Sequence, residues 1–95
     1  MCIAFTKKVS IPPDVLVQEL AGESVLLNLD GGRYFGLDAM GTRFWQRLTA
    51  SESIQAAYEA LLAEYDDAEP DLVRRDLDEL LEKLVKHGLV TFAGD

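Results

Sequence analysis

Few residues in this 95-residue chain could carry acid–base or metal chemistry. His87 is the only histidine and Cys2 is the only cysteine, so a Ser-His-Asp triad or a His/Cys metal cluster would lack its partners. His87 precedes Gly88 in the last turn of a predicted helix, where a partly cationic ring is favourable against the helix dipole. Gly31-Gly32 lacks the lysine and the helix start of a phosphate-binding loop. We therefore predict no catalysis and no cofactor.

Composition and charge restrict the classes of partner. The chain has 17 acidic and 9 basic residues and a net charge of −8, which argues against a nucleic-acid backbone or an anionic membrane as the main partner. A single cysteine cannot form an internal disulfide, and no stretch has the length of a signal sequence or a transmembrane helix. We therefore expect a cytoplasmic location. An apolar fraction of 48% is typical of a single folded domain.

The pattern of residues 14–37 predicts a three-stranded antiparallel meander. Residues 25–29 form a short apolar run, residues 30–32 supply a glycine-rich turn, and residues 33–37 form an aromatic second arm. Residues 15–20 and the Ala21-Gly22 turn add the strand before them. The first and third strands of such a meander are both edges of the sheet.

Three helices are predicted after the sheet. The first follows the N-cap residue Asp38 and runs to about Thr49, and the second begins at Ser53. The third runs from about residue 71 to 87 and stops at Gly88. The prediction is an α+β domain over residues 13–92, similar to a winged helix-turn-helix in permuted order. Residues 1–12 are predicted to be an N-terminal arm, in part mobile, and residues 89–92 a short strand or extended tail.

The third strand and the last helix together suggest a surface for recognition. If the helix lies beside the edge strand, unpaired backbone groups face an apolar helix stripe, and an extended peptide could add a strand there. The alternative is that the helix simply covers the strand, and the pattern leaves both open. The residues of the stripe are Val73, Leu77, Leu80, Leu81 and Leu84.

The spaced pattern of apolar, glycine and aromatic positions resembles the PqqD-like family. The resemblance rests on VLLNL at 25–29, GRYFGL at 32–37, residues 38–41 and Trp45, and it continues through residues 54–65 and 76–90. These proteins are recognition elements for the leader segments of ribosomally made, post-translationally modified peptides. GRYFGL followed by a helix with glycine and tryptophan most resembles the free-standing members of lasso-peptide clusters. PqqD itself, a chaperone of quinone cofactor biosynthesis, tends to differ at the hairpin turn.

The resemblance implies that a precursor leader binds as a fourth antiparallel strand on the third strand, against the last helix. It also implies no catalysis by the chain itself and delivery of the precursor to a partner enzyme, in lasso pathways a cysteine protease resembling transglutaminases. We therefore expect a charge at Leu77 or Leu80 to abolish binding, and removal of residues 1–10 to leave it nearly intact. The implied binding residues are Arg33, Tyr34, Phe35, Gly36, Leu37, Val73, Asp76, Leu77 and Leu80, with Arg74 and Lys83 at the rim.

Two other functions stay open on the sequence alone. A winged-helix DNA-binding protein should have a basic recognition helix, whereas residues 71–87 hold five acidic and four basic side chains. A small enzyme would need a cluster of titratable residues around a cleft, and only one histidine and one cysteine exist. The oligomeric state is also open, because an exposed edge strand permits pairing between copies.

Overall fold

The computed structural model describes residues 4–93, so Cys2 lies outside the described residues. The elements follow the predicted order, with a three-stranded sheet and three helices, and a short strand lies before and after them. Their bounds are β1 Lys8–Ser10, β2 Val15–Leu20, β3 Glu23–Asn28, β4 Arg33–Leu37, α1 Ala39–Ala50, α2 Ile54–Glu64, α3 Pro70–Lys86 and β5 Thr91–Ala93.

The meander is confirmed, with strand order β2-β3-β4 and antiparallel pairing throughout. Both turns use backbone with positive φ: Ala21 and Gly22 at 55° and 84°, and Gly31 and Gly32 at 119° and 68°. The Ala21-Gly22 turn is a two-residue hairpin loop, and its positive φ values match the twist of the flanking strands. In the longer β3–β4 loop, Gly31 and Gly32 adopt positive φ without the steric cost that a side chain would add. The order leaves β4 at an edge of the sheet.

The register assigns the strand side chains to two faces. Leu26 pairs with Phe35, and Leu26 is fully buried on the face that α1 covers. Ser24 and Thr42, both buried, join the sheet to α1 through a hydrogen bond of 2.7 Å between their hydroxyl groups. Because side chains alternate along a strand, the residues between these point to the other face. That outer sheet face consists of Leu16, Gln18, Leu20, Glu23, Val25, Leu27, Tyr34 and Gly36.

The helix ends follow the predicted capping residues. Asp38 accepts a hydrogen bond of 2.8 Å from the backbone N–H of Gly41, and the Ser53 hydroxyl accepts one of 3.0 Å from the N–H of Ala56. Each bond satisfies an N–H that the helix leaves unpaired at its first turn. The chain leaves α3 through Gly88 at a φ of 69°. Local chemistry thus marks the starts of α1 and α2 and the end of α3.

A three-residue ion cluster holds α1 against α2. The Glu64 carboxylate accepts a hydrogen bond from Arg43 Nε at 2.5 Å and another from Arg47 Nε. Partial burial acts to raise the pKa of Glu64, but the bonds and positive charges of Arg43 and Arg47 outweigh it and lower that pKa. The cluster therefore links α2 to α1, whose first turn follows β4 without a linker.

Residues 4–10 differ from the predicted arm. β1 pairs antiparallel with β5, and Phe5 and Val9 are buried in the core. The backbone N–H of Ile54 donates to the carbonyl of Lys7, and that of Gln55 donates to the carbonyl of Phe5, both at 2.8 Å. This part of the chain therefore packs as part of the domain. Its three-residue strand is too short to show a period in the sequence.

Phe5→Ala is expected to lower the free energy of unfolding by about 3–5 kcal/mol, the range for removing a buried aromatic ring. The Phe5 ring packs edge-on against Tyr58, with centroids 6.0 Å apart. Denaturant unfolding would measure the loss, and Thr6→Ala, at an exposed neighbouring position, is the control. Equal stability of the two variants would show that residues 4–10 do not stabilise the core. Removal of residues 1–10 should therefore destabilise the domain, so any loss of affinity must be corrected for the folded fraction.

Candidate functional site

The free edge of β4 faces a gap between the sheet and α3. At one end the gap is closed, because Asn28 Nδ2 donates to the carbonyl oxygens of Gly88 at 3.1 Å and His87 at 3.4 Å. The Phe35 and His87 rings also lie 5.2 Å apart there. Asn28 pairs with Arg33, so the start of β4 lies by the end of α3. The two elements therefore run in opposite directions along the gap.

A groove of about 410 Å³ occupies this gap. One wall is the second half of β4, the floor is the first turns of α1, and the other wall is α3. Its apolar side chains lie between polar ones at the rim, which is the arrangement of a ligand-binding cleft. The lining residues are Phe35, Gly36, Leu37, Asp38, Met40, Gly41, Phe44, Asp76, Glu79, Leu80 and Lys83.

A second cavity of about 380 Å³ lengthens the groove beyond the end of β4. It lies between α1, the α2–α3 connector and the first turns of α3. Met40, Phe44 and Asp76 line both cavities, so the two form one continuous depression. Its other lining residues are Tyr65, Asp67, Ala68, Glu69, Leu72 and Val73.

Seven of the predicted binding residues line this depression. The groove contains all of them except Val73, which lines the second cavity. The side chain of Leu80 is half-buried and packs against the core while facing the groove. The seven residues are Phe35, Gly36, Leu37, Val73, Asp76, Leu80 and Lys83.

Leu77 and Arg74, which were predicted for the helix wall, lie outside the lining of the depression. Leu77 is 0% exposed and belongs to the core. The guanidinium carbon of Arg74 lies 4.1 Å from the centroid of the Phe5 ring. Residues two apart on a helix are separated by about 200°, so Arg74 points away from the side on which Asp76 lines the groove. The charged side chains of α3 that line the groove are therefore those of Asp76, Glu79 and Lys83.

Arg33 and Tyr34 also lie outside the lining of the groove. Tyr34 is 75% exposed and stands on the outer sheet face. Arg33 is exposed at the closed end, next in register to Asn28. Their backbone belongs to the edge strand, so a peptide that paired with the whole of β4 would still pass them.

The sequence prediction missed the contribution of α1 to the groove. Met40 is half-exposed beside it, and Phe44 lies beneath it. Gly41 allows the close approach, since a Cβ there would lie 3.2 Å from both Leu37 Cδ2 and Asp38 Oδ1. The signal in the sequence was the absence of a linker between β4 and the Asp38 N-cap, which forces the first turns of α1 to flank the strand.

The outer sheet face forms a separate exposed apolar surface. Leu16 and Val25 are about half exposed there, while Leu20 and Tyr34 are more exposed still. A shallow depression of about 470 Å³ lies over Gly36, where no Cβ fills the space. Exposed apolar patches of this kind mark interaction sites in soluble proteins.

Residues 4–93 contain neither a candidate membrane span nor a candidate metal site. No helix in this range is long and apolar enough to cross a membrane. No group of three or more His, Cys, Asp or Glu side chains within it is placed to hold a metal ion.

Comparison with known proteins identifies two similar solved structures. A search of curated proteins found no match. The structure resembles “TbiB1 in Complex with the TbiA(beta) Leader Peptide” with a TM-score of 0.79 and 35% identity, over 90% of this chain and 98% of that one. It also resembles “Lasso peptide synthetase B1 complexed with the leader peptide” with a TM-score of 0.77 and 25% identity, over 88% and 98% of the two chains.

The family comparison agrees with the sequence pattern. The model of the family described as “Coenzyme PQQ synthesis protein D (PqqD)” matches residues 23–90. The matched range begins with β3 and ends after α3, so it contains β4, α1 and α3, the three elements that enclose the groove. With its fold, its groove and this match in agreement, the chain belongs to the PqqD family.

Proposed function

We propose that the chain binds the leader segment of a ribosomally made precursor peptide in the groove between β4 and α3. The observation that carries the proposal is the free edge of β4 beside a groove lined by both apolar and charged side chains. Two similar proteins have been solved with leader peptides. An edge strand offers unpaired N–H and C=O groups, and pairing with them gives affinity that does not depend on the side chains of the peptide.

The leader lies antiparallel to β4 as a fourth strand of the sheet. Its N-terminal part then passes Leu37 and the second cavity, and its C-terminal part passes Arg33 and the closed end of the groove. Alternate side chains point inward to Phe35 and Leu80 and outward to the level of the outer sheet face. Binding in this way requires no catalysis by the chain. We propose that leader binding takes place in the cytoplasm, where precursor peptides are made.

The lasso-peptide setting is favoured over quinone cofactor biosynthesis. Both similar structures carry leader peptides, and one of the two proteins is a lasso peptide synthetase B1. The matching family, in contrast, is named after the synthesis of coenzyme PQQ. The second setting would be favoured if a precursor for that cofactor, rather than a lasso precursor, bound the groove.

The test is a titration followed by backbone amide shifts in NMR spectra. The ligand is the leader segment of the precursor peptide encoded beside the gene, with a scrambled peptide of the same composition as the control. We expect saturable shifts at residues 33–37 and at groove-facing positions of α3, with an affinity between about nanomolar and micromolar. An absence of saturable shifts, or shifts confined to other surfaces, would contradict the proposal.

The outer sheet face is the surface we assign to the partner enzyme, a leader protease of the cysteine type. Gly36 lines both the groove and the outer depression, so the two surfaces meet at β4. A leader strand added to β4 would extend the outer sheet face by one strand. An enzyme seated there would contact the chain and its bound peptide together, which would bring the precursor to the enzyme.

Leu16→Arg is expected to reduce leader cleavage by the partner protease by about tenfold or more while leaving leader affinity within about twofold. Leu16 is 53% exposed on the outer sheet face, and a charge there opposes an apolar interface without touching the groove. Cleavage assays and leader binding would be measured on the same variant. Ala50→Arg, at an exposed position at the end of α1, is the control. Normal cleavage of the leader by the partner protease in the presence of the Leu16→Arg variant would contradict the assignment of the outer sheet face to the enzyme.

A further inference from the structure

The two ends of the groove carry opposite charge. At the Leu37 end, the exposed carboxylates of Asp38 and Asp76 line the groove, and those of Asp67 and Glu69 line the second cavity beyond it. Towards the closed end, Lys83 lines the groove. Arg33 and Lys86 are exposed at that end, on β4 and on the last turn of α3. The net charge of the chain does not predict this polarity, because the acidic residues exceed the basic ones overall.

Neighbouring charges reduce the polarity without reversing it. The Arg75 guanidinium lies 3.7 Å from the Asp76 carboxylate, and both side chains are more than half exposed. Glu79, in the middle of the groove, and Glu82 line a shallow pocket together with Lys83 and Lys86. Exposed pairs of this kind cancel only part of each other's field in water. Several carboxylates therefore surround the two cavities at the acidic end, and Arg75, the arginine beside them, offsets only part of their charge.

If the ligand binds by strand addition, this polarity determines which charges each part of the peptide meets. A peptide antiparallel to β4 runs parallel to α3, because β4 and α3 run in opposite directions along the groove. Its N-terminal part therefore meets the carboxylates, and its C-terminal part meets Lys83. Along α3, Asp76 and Lys83 are separated by about 10 Å, which corresponds to about three residues of an extended strand.

We propose that the groove selects leaders with Lys or Arg in the N-terminal part of the bound segment and Asp or Glu about three to five residues later. This inference rests on the proposed function and specifies the class of peptide that the groove accepts. Charge complementarity of this kind fixes register and direction more than it adds affinity. It would disfavour a peptide bound in the reverse direction, because both of its ends would then meet like charges.

The same charges also suit α3 as an isolated helix. Acidic residues near the N-terminus and lysines near the C-terminus complement the helix dipole, and that role requires no ligand. The two roles make different predictions. Helix stabilisation affects the melting temperature and not the choice of peptide, whereas ligand selection affects the choice of peptide.

The experiment uses a displayed library of random 16-residue peptides, selected against the full chain at low salt. The tightest binder is synthesised together with an isomer in which its acidic and basic residues are exchanged and every other residue is kept. We expect basic residues in the N-terminal part of the selected segment, and an affinity about tenfold weaker for the isomer, since exposed pairs are each worth a modest amount. The difference should shrink as salt is raised.

A variant with the two charges exchanged completes the test. Asp76→Lys combined with Lys83→Asp keeps the net charge and should reduce or reverse the preference between the two peptides. If both peptides bind the groove equally in the original chain, the charge rule is overturned and the proposed function stands. The rule also fails if the variant melts at a lower temperature but keeps the original preference. If no selected peptide shifts the amides of β4, the proposed function fails, and the charge rule fails with it.

Discussion

Leu80→Arg should weaken leader binding by about 100-fold and leave the domain folded. Leu80 is half-buried in the α3 wall of the groove, where an inward-pointing side chain of the leader would pack on it. Removing that contact and placing a guanidinium in the apolar wall should together cost about 3 kcal/mol of binding free energy, which is about a 100-fold change in Kd. Fluorescence anisotropy with a labelled leader peptide would measure it. A thermal melt would show that the variant is folded.

The matched control for Leu80→Arg is Leu16→Arg. Both replace a partly exposed leucine by arginine, but Leu16 lies on the outer sheet face, away from the groove. The pair separates leader binding from recruitment of the protease. Leu80→Arg should reduce both leader binding and leader cleavage, whereas Leu16→Arg should reduce cleavage alone. Full leader affinity in a folded Leu80→Arg variant would rule out the α3 wall as part of the binding site. Equal loss in both variants would indicate a general effect of added charge.

The features predicted correctly from the sequence are those set by neighbours along the chain. The Gly31-Gly32 turn and the N-caps Asp38 and Ser53 depend on a few adjacent atoms, so residue type alone locates them. The meander follows, because short turns can join only antiparallel neighbours. Pairing of β1 with β5 joins the two ends of the chain. No local signal specifies such a contact, so residues 4–10 were predicted to be an arm.

The sequence predicts a groove between β4 and α3 but does not select which residues of the α3 stripe line it. A 3.6-residue period identifies the apolar stripe of α3, but it does not tell which stripe residue faces the core and which faces a gap. That choice depends on where α1 lies, and α1 is placed by the direct link from β4 and by the buried contact between Ser24 and Thr42. Leu77 consequently faces the core and Leu80 faces the groove.

This difference makes Leu77 a test of stability and not of recognition. Leu77→Ala is expected to lower the free energy of unfolding by about 2–5 kcal/mol, because it removes a fully buried side chain and leaves a cavity. Small domains have about 5–15 kcal/mol in total, so Leu77→Arg, which buries a charge, would unfold the chain and could not report on binding. Urea unfolding would measure the loss, with Leu72→Ala, 42% exposed on the same helix, as the control.

Leader affinity should differ between Leu77→Ala and Leu80→Ala when it is measured at a temperature where Leu77→Ala is folded. With the groove lined by Leu80, the folded Leu77→Ala variant should bind the leader within about threefold of the original chain, since its cavity lies beneath the wall. Leu80→Ala should show the opposite pattern, a small loss of stability and a clear loss of affinity. If Leu77→Ala kept its stability and lost the leader, the helix would present Leu77 to the peptide, as the apolar stripe first indicated.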